Sequence, residues 1–469
     1  MTTPIAPEAD EGEPRPLVLH VPFTFFPDAS GGTEVYVLAL ARHLTEHGYV
    51  GAVAAPCKVD AEYVIDGIPV YRFAIDARQG IEHAYGRSDE VAAASFAKLI
   101  GRLRPCFVHL HARTAAVSER LAELAHEAGA RVVFTYHTPT VSCARGTMLL
   151  NGREPCDGMI RQRRCVACVL RARGAPPAAA NLAALLPASV ARSLAAIPAL
   201  PSALRMPGLL IAAQSRFRSL MGSVDHVVAV CDWVAGVLRS NGVPEAKMTV
   251  SRQGLGAGAG TPPQRPPRPR RPVRVAYFGR LDVTKGADLL VSAMARIPAA
   301  DVAADLYLVR QSGSERDLLA IEAQARVDRR INIHPALPAD QVRDAMAAYD
   351  LIAVPSRWLE TGPLVVLEAF SAGVPVLGAD RGGIAELVQD GVNGILFLPD
   401  DIEALAGALS RIAADPESLD KLRAGISKPR TMSEVAGEMA QIYLQLSKLP
   451  DSAPGSRLAP AEPATSGAA

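Results

Sequence analysis

The chain reads as an α/β protein made of two doubly wound, parallel-sheet domains, and three features predict it. Short apolar runs of strand length alternate with helix-length periodic segments along most of the sequence. Its 469 residues, 49% of them hydrophobic, exceed what one core uses and suffice for two. The stretch Leu255 to Pro272, LGAGAGTPPQRPPRPRRP, has no apolar periodicity, and its six prolines disrupt regular structure, so it reads as an interdomain linker and hinge. A formal net charge of +1 gives no support to nucleic acid as the main partner. Neither an apolar run of about 18 residues nor a basic-then-apolar leader is present, so a cytoplasmic protein is expected.

Residues 1–16 are acidic and proline-rich and should be disordered. The first domain is expected over residues 17–254. Leu17 to Val21 forms its first strand, and the loop from Pro22 ends in Ser30-Gly31-Gly32-Thr33 before a helix running to about His47 and capped by Gly48. A glycine pair at a helix start allows close backbone approach to a ligand, so Gly31 and Gly32 are site candidates, with an ordinary flexible turn as the alternative. Further strands read at Phe107 to His111 and Val132 to Tyr136. His109 and His111 alternate along one of them and read as packing residues. His137 follows the other strand directly, where a side chain can meet a ligand.

An insert is expected at about residues 140–222. Cys143, Cys156, Cys165 and Cys168 give C-x12-C-x8-C-x2-C spacing, read as a structural zinc site with four thiolate ligands; an iron–sulfur cluster or free thiols stay open. Seven arginines lie between Cys143 and Arg173, a basic surface that could attract an anionic acceptor or an anionic membrane, or simply be solvated. Ala175 to Leu210 is rich in Ala, Leu and Pro; its prolines exclude a spanning helix and leave short helices, packed on the domain or lying at an interface.

His226 to Val230 gives the next strand, with Asp232 as a cap for the helix after it. The second domain spans residues 273–425. It opens with Arg274-Val-Ala-Tyr-Phe-Gly279-Arg280, a strand ending in a glycine turn, then a helix beginning near Gly286. Arg280 and Lys285 lie just past the strand's carboxyl end, where open parallel sheets hold ligands, and two cations there can clamp a diphosphate. Downstream, Glu360-Thr-Gly362-Pro363-Leu-Val-Val-Leu-Glu368 sets two carboxylates across a helix start. Pro363 suits the first helical position, which puts Glu360 on the entering loop and Glu368 about two turns down. The free amides of Leu364 and Val365, at the positive end of the helix, can receive a phosphate. Such a pocket fits a nucleotide sugar. A last helix is expected at Met432 to Leu446, and residues 450–469 should be a disordered tail.

The ordered motifs GRLDVTKG (279–286), VPSRWLETGPLVVLEAFSAGVPVL (354–377), GGIAELV (382–388) and DGVNGILF (390–397) make the chain resemble the retaining glycosyltransferases of family 4 from about Val18 to Leu444. The resemblance implies the GT-B fold, two Rossmann-like domains facing across a cleft, with residues 426–449 packing back on the first. It implies that Arg280 and Lys285 hold the donor diphosphate, Glu360 contacts the sugar hydroxyls, and Glu368 binds the ribose. It places Gly31 and Gly32 near the donor phosphates and acceptor, His137 near the acceptor, and Gly279 and Gly362 among the donor contacts. The implied reaction is sugar transfer to a carbohydrate or lipid-linked acceptor with anomeric retention, with no cofactor required for transfer. Two basic residues can replace a divalent metal at the leaving phosphate, and no D-x-D pair stands near these loops. Val309 to Ser314 lacks the usual G-x-G-P character and Gln253 stands where asparagine is frequent, so UDP-sugar is a default ahead of GDP-sugar. A nucleotide-sugar 2-epimerase and a degenerate sugar-nucleotide-binding scaffold are the alternatives, as is peripheral attachment to the inner membrane face.

Overall fold

A computed structural model describes residues 15–28, 31–256, 262, 272–298, 301–310 and 315–449. Residues 1–14 and 450–469 of the expected disordered ends and nearly all of the linker, and with it the hinge, lie outside these residues, whereas Pro16 O accepts from Val50 N at 3.0 Å, next to the first strand. Two compact units result, one of residues 1–135, 218–227 and 436–469, the other of residues 136–217 and 228–435.

In the first unit the strands are β1 (Leu17–Val21), β2 (Val50–Cys57), β3 (Ala61–Ile65), β4 (Ile68–Ala74), β5 (Phe107–Leu110) and β6 (Arg131–Tyr136), adjacent in the order β6-β5-β1-β2-β4-β3. Pairing is parallel except between β3 and β4. Val18, Leu19 and Val21 are buried, as in strands covered on both faces, whereas β3 is mostly exposed and forms the edge. Asp66 and Gly67 both have positive φ, 49° and 80°, the conformation that a two-residue hairpin turn requires. β1 lies between β2 and β5, so chain direction switches beside it. Gly31 is the N-cap of helix Gly32–His43, and a short 3-10 turn to His47 ends at Gly48 with φ 83°. The last helix, Met432–Ser447, begins in the second unit, and its residues from Ala436 belong to the first. There Tyr443 is fully buried against Phe107 and Tyr49, and its hydroxyl lies 2.7 Å from His109 Nδ1.

The second unit contains a small hairpin, β7 (Leu149–Leu150) and β8 (Glu154–Pro155), and insert helices Gln162–Ala172, Pro177–Ala184, Ala188–Ala195 and most of Ser202–Ser223. β9 (His226–Ala229) leads into helix Asp232–Ser240 and then β10 (Met248–Val250). The residue at the N-cap of that helix is Cys231, and Asp232, expected as the cap, is instead its first residue. Its side chain is taken by Arg252.

Six strands follow: β11 (Val273–Arg280), β12 (Val302–Val309), β13 (Ile331–Pro335), β14 (Leu351–Val354), β15 (Val376–Ala379) and β16 (Gly394–Phe397). All pair in parallel, in the order β13-β12-β11-β14-β15-β16. Counted within this sheet the order is 3-2-1-4-5-6, that of a dinucleotide-binding sheet, and its switch point falls between β11 and β14. Side chains alternate along β11: Val273, Val275 and Tyr277 enter one core layer, Ala276 the opposite one. The crevice at the switch point is therefore built by the loops after β11 and β14.

Candidate functional site

Those two loops carry Arg280, Lys285 and Glu360. β11 ends at Arg280, a 3-10 turn covers Val283–Lys285, and Asp282 caps it by accepting from Thr284 N at 2.7 Å. Gly286 then takes φ 73°, and a Cβ there would stand 2.0 Å from the Pro355 carbonyl oxygen, so the close approach of the loops requires glycine. Arg357 N donates to Thr284 O at 2.7 Å, while its guanidinium reaches both Asp288 carboxylate oxygens at 2.6 Å. Clamped this way, Lys285 Nζ donates to Glu360 Oε1 at 2.7 Å and lies 5.0 Å from the Trp358 ring centre.

Glu360 is buried. Ser356 Oγ also donates to its Oε1, at 2.8 Å. Burial pushes the Glu360 carboxyl up, but the Lys285 charge and these hydrogen bonds outweigh that and hold it below its ordinary range. The Glu360 carbonyl accepts from Gly383 N at 2.7 Å and from Trp233 Nε1 at 2.8 Å. A Cβ on Gly383 would lie 2.8 Å from that oxygen, which is what the paired glycines of GGIAELV permit. From the insert, Leu149 and Met148 pack against Leu359, the residue before Glu360.

Pro363 is the N-cap, not the first helical residue, of helix Leu364–Ser371. The helix starts one residue later than expected, and Glu368 lies little more than one turn past its first residue, Leu364, not two turns down. Leu364 and Val365 do occupy the first two helical positions, whose amides face outward along the axis. Burial raises the Glu368 carboxyl above its ordinary value. Gly362 meets Gln253, whose side chain would be 3.0 Å from an added Cβ. A small gap opens here, lined by Arg252, Gln253, Thr361, Gly362 and Glu386 among others. Glu386 accepts from Asp232 N and Trp233 N, both at 2.8 Å, and so occupies the start of helix Asp232–Ser240. The Arg280 guanidinium, partly exposed at the end of β11, makes no hydrogen bond or ion pair among the described residues. Gly279 packs against the Tyr277 hydroxyl, which donates to Arg280 O at 2.8 Å.

His137 follows β6 directly and is buried, its imidazole pushed down to about 3 by burial; its carbonyl accepts from Thr361 Oγ1 at 2.5 Å. Lys285, Glu360 and the His137 backbone thus belong to one connected set of contacts. Gly31 and Gly32 belong to the first unit. Ser356, Trp358, Trp233, Arg252 and Glu386 were not anticipated. Ser356 and Trp358 could have been, since they fall inside the 354–377 motif.

The four cysteines are less closely gathered than their spacing implies. Among the described residues, the group whose ligand atoms all lie within 4.8 Å of one another is His20, His109 and His111, not the cysteines. Burial raises the thiol pKa of Cys156 and Cys165, and Cys143 is near enough to both to add to the rise. Cys168 is turned onto the hairpin, where its sulfur accepts from Asn151 N at 3.2 Å. The three histidines form a core network: His20 Nδ1 and His111 Nε2 are 3.0 Å apart, and both His109 nitrogens are engaged, by Tyr443 and Thr135.

Two family models match, "Glycosyl transferases group 1" over residues 262–428 and "Glycosyl transferase 4-like domain" over residues 31–254. D-inositol 3-phosphate glycosyltransferase of Xylanimonas cellulosilytica is 33% identical over 183 residues, 37% of this chain and 42% of the relative. A Mycobacterium tuberculosis glycogen synthase is 30% identical over 205 residues, 42% of this chain and 49% of the relative. The chain thus spans less than half the length of these curated relatives. Among solved structures, sucrose-phosphate synthase from Thermosynechococcus elongatus aligns over 92% of this chain and 99% of that one, with TM-score 0.64 and 19% identity. Anabaena HepE, solved in complex with UDP, aligns over 92% and 100%, with TM-score 0.58 and 18% identity.

Proposed function

Because the chain belongs to the family-4-type glycosyltransferases and has their GT-B fold, we propose that it moves a sugar from a nucleoside diphosphate sugar to an acceptor hydroxyl with retention of anomeric configuration. The observation that carries this reading is the Lys285–Glu360 pair at the switch point of the 3-2-1-4-5-6 sheet, with Arg280 at the adjoining strand end. A departing nucleoside diphosphate gains negative charge as the glycosidic bond breaks. Arg280, Lys285 and the amides of Leu364 and Val365 are fixed beforehand and meet that charge without reorganising. Lys285 and Ser356 both donate to Glu360 Oε1 and hold the carboxylate in place to orient a sugar hydroxyl. Glu368, whose carboxyl pKa burial raises, accepts hydrogen bonds from the ribose. Gly279 and Gly362 let donor and loop approach closely, His137 faces the acceptor, and Gly31 and Gly32 approach the donor phosphates. UDP is the preferred carrier nucleotide of the donor sugar, supported by the UDP complex of HepE, and polysaccharide or glycoconjugate synthesis in the cytoplasm the preferred setting.

Turnover of UDP- and GDP-sugars by wild type, Arg280→Ala and Lys285→Ala tests the reading. Each variant should bind donor yet turn it over roughly a hundredfold more slowly, the effect of losing one preorganised charge partner. Normal turnover in both variants would refute the clamp. Donor binding with neither transfer nor hydrolysis in wild type would indicate a scaffold, and isomerisation of the free donor an epimerase.

A further inference from the structure

We propose that the insert spanning residues 162–204 is a docking surface for an anionic phospholipid bilayer. From Gly158 to Phe217 the chain holds eight arginines and no lysine, aspartate or glutamate. In the same stretch the fold leaves large apolar side chains in solvent: Leu182 is 72% exposed, Leu185 56%, Leu204 53%, and Ile197 and Val190 nearly half. Helices Pro177–Ala184 and Ala188–Ala195 bury only Ala180, Ala184 and Ala191 and bend by 106° at Leu185–Pro187. No single helix among the described residues is long and apolar enough to cross a membrane, and short helices with leucines on one side and arginines beside them suit an interfacial position.

Charge and apolar surface meet at one place. A cleft of about 390 Å³ between helix Gln162–Ala172, helix Pro177–Ala184 and the β7–β8 hairpin is lined by Arg163, Arg164, Arg171, Asn181 and Leu185, with no acidic side chain. Arg164 is neutralised by Asp157, whereas Arg163 makes no hydrogen bond or ion pair among the described residues. Arg171 is held by Asn181 at 3.1 Å, a neutral partner that leaves its charge uncompensated. Guanidinium groups beside exposed leucines match lipid phosphates above acyl chains. A second copy docking by the same face would set this arginine surface against itself, and a nucleic acid offers nothing to the leucines.

The proposal does not rest on the transfer reaction, and its readout is binding. The full chain is sedimented with vesicles of phosphatidylcholine alone and of phosphatidylcholine with phosphatidylglycerol. Binding is expected only to the anionic vesicles and to weaken with salt. Arg163→Gln with Arg171→Gln should reduce it roughly thirtyfold. Leu182→Ser with Leu185→Ser should abolish it while unfolding stays unchanged, since both side chains are exposed. Equal partition onto neutral vesicles, no partition at all, or a dimer dissolved by the Leu182→Ser and Leu185→Ser changes would overturn the proposal.

Discussion

Removing the ammonium of Lys285 leaves the Glu360 carboxylate buried with Ser356 as its remaining hydroxyl donor. A buried charge stripped of its partner is far more costly than the pair is stabilising, so Lys285→Met should destabilise the fold by about 3 kcal/mol. Glu360→Gln in the same background should recover most of that, as read by urea unfolding; identical losses in single and double variants would show the two groups to be uncoupled. His20 and His137 make the protein acid-sensitive. Each is held neutral by burial, with a folded pKa of about 3 against 6.5 for the free side chain. Below pH 6.5 the unfolded chain takes up protons that the folded chain refuses, so stability is intact above that pH and is lost as pH falls towards 3. Each imidazole contributes a slope of about 1.4 kcal/mol per pH unit. His20→Asn or His137→Asn should flatten the melting-temperature profile between about pH 6 and 4; an unchanged profile would mean that other groups set it.

At the scale of elements, the strands and the loops at their carboxyl ends were legible because apolar runs and glycine turns are local signals. Arg280, Lys285 and Glu360 are candidates on those loops, and the structure joins the last two through contacts no local pattern encodes. The helix start was misplaced by one residue because proline suits the N-cap as well as the first turn: Pro363 has extended ψ 106°. Trp233 and Glu386 were invisible for a different reason. Their hydrogen bonds span 153 positions, and only the folded sheet order brings them together. The cysteine spacing was legible as a pattern, but the β7–β8 hairpin, two residues per strand, left no sequence signal and now holds Cys168. A structural zinc therefore requires the Cys168 side chain to leave Asn151 and join Cys143, Cys156 and Cys165. Stoichiometric zinc in reductively purified protein would support such a site; less than about half an equivalent, with the fold intact, would end the idea.

Across the whole molecule, a net charge of +1 conceals segregation: the insert is strongly basic and the remainder of the chain is therefore acidic. Screening of the insert by salt should accordingly change its interactions without much change in overall solubility. The first unit also depends on residues far away in sequence. Tyr443 is fully buried against Phe107 and Tyr49, and Tyr443→Ala should cost about 4 kcal/mol, measurable by denaturant unfolding, with a loss under about 1 kcal/mol contradicting the packing described.

Residues 436–449 complete a core whose first strand begins at Leu17, and the chain passes between the two units four times. During synthesis on a ribosome the first unit consequently cannot close its core until the last helix has emerged. Its exposed apolar strands must wait through the making of the second unit, a period in which a chaperone has something to hold. Splitting the gene at the proline-rich segment would yield two fragments, neither of which contains a whole unit.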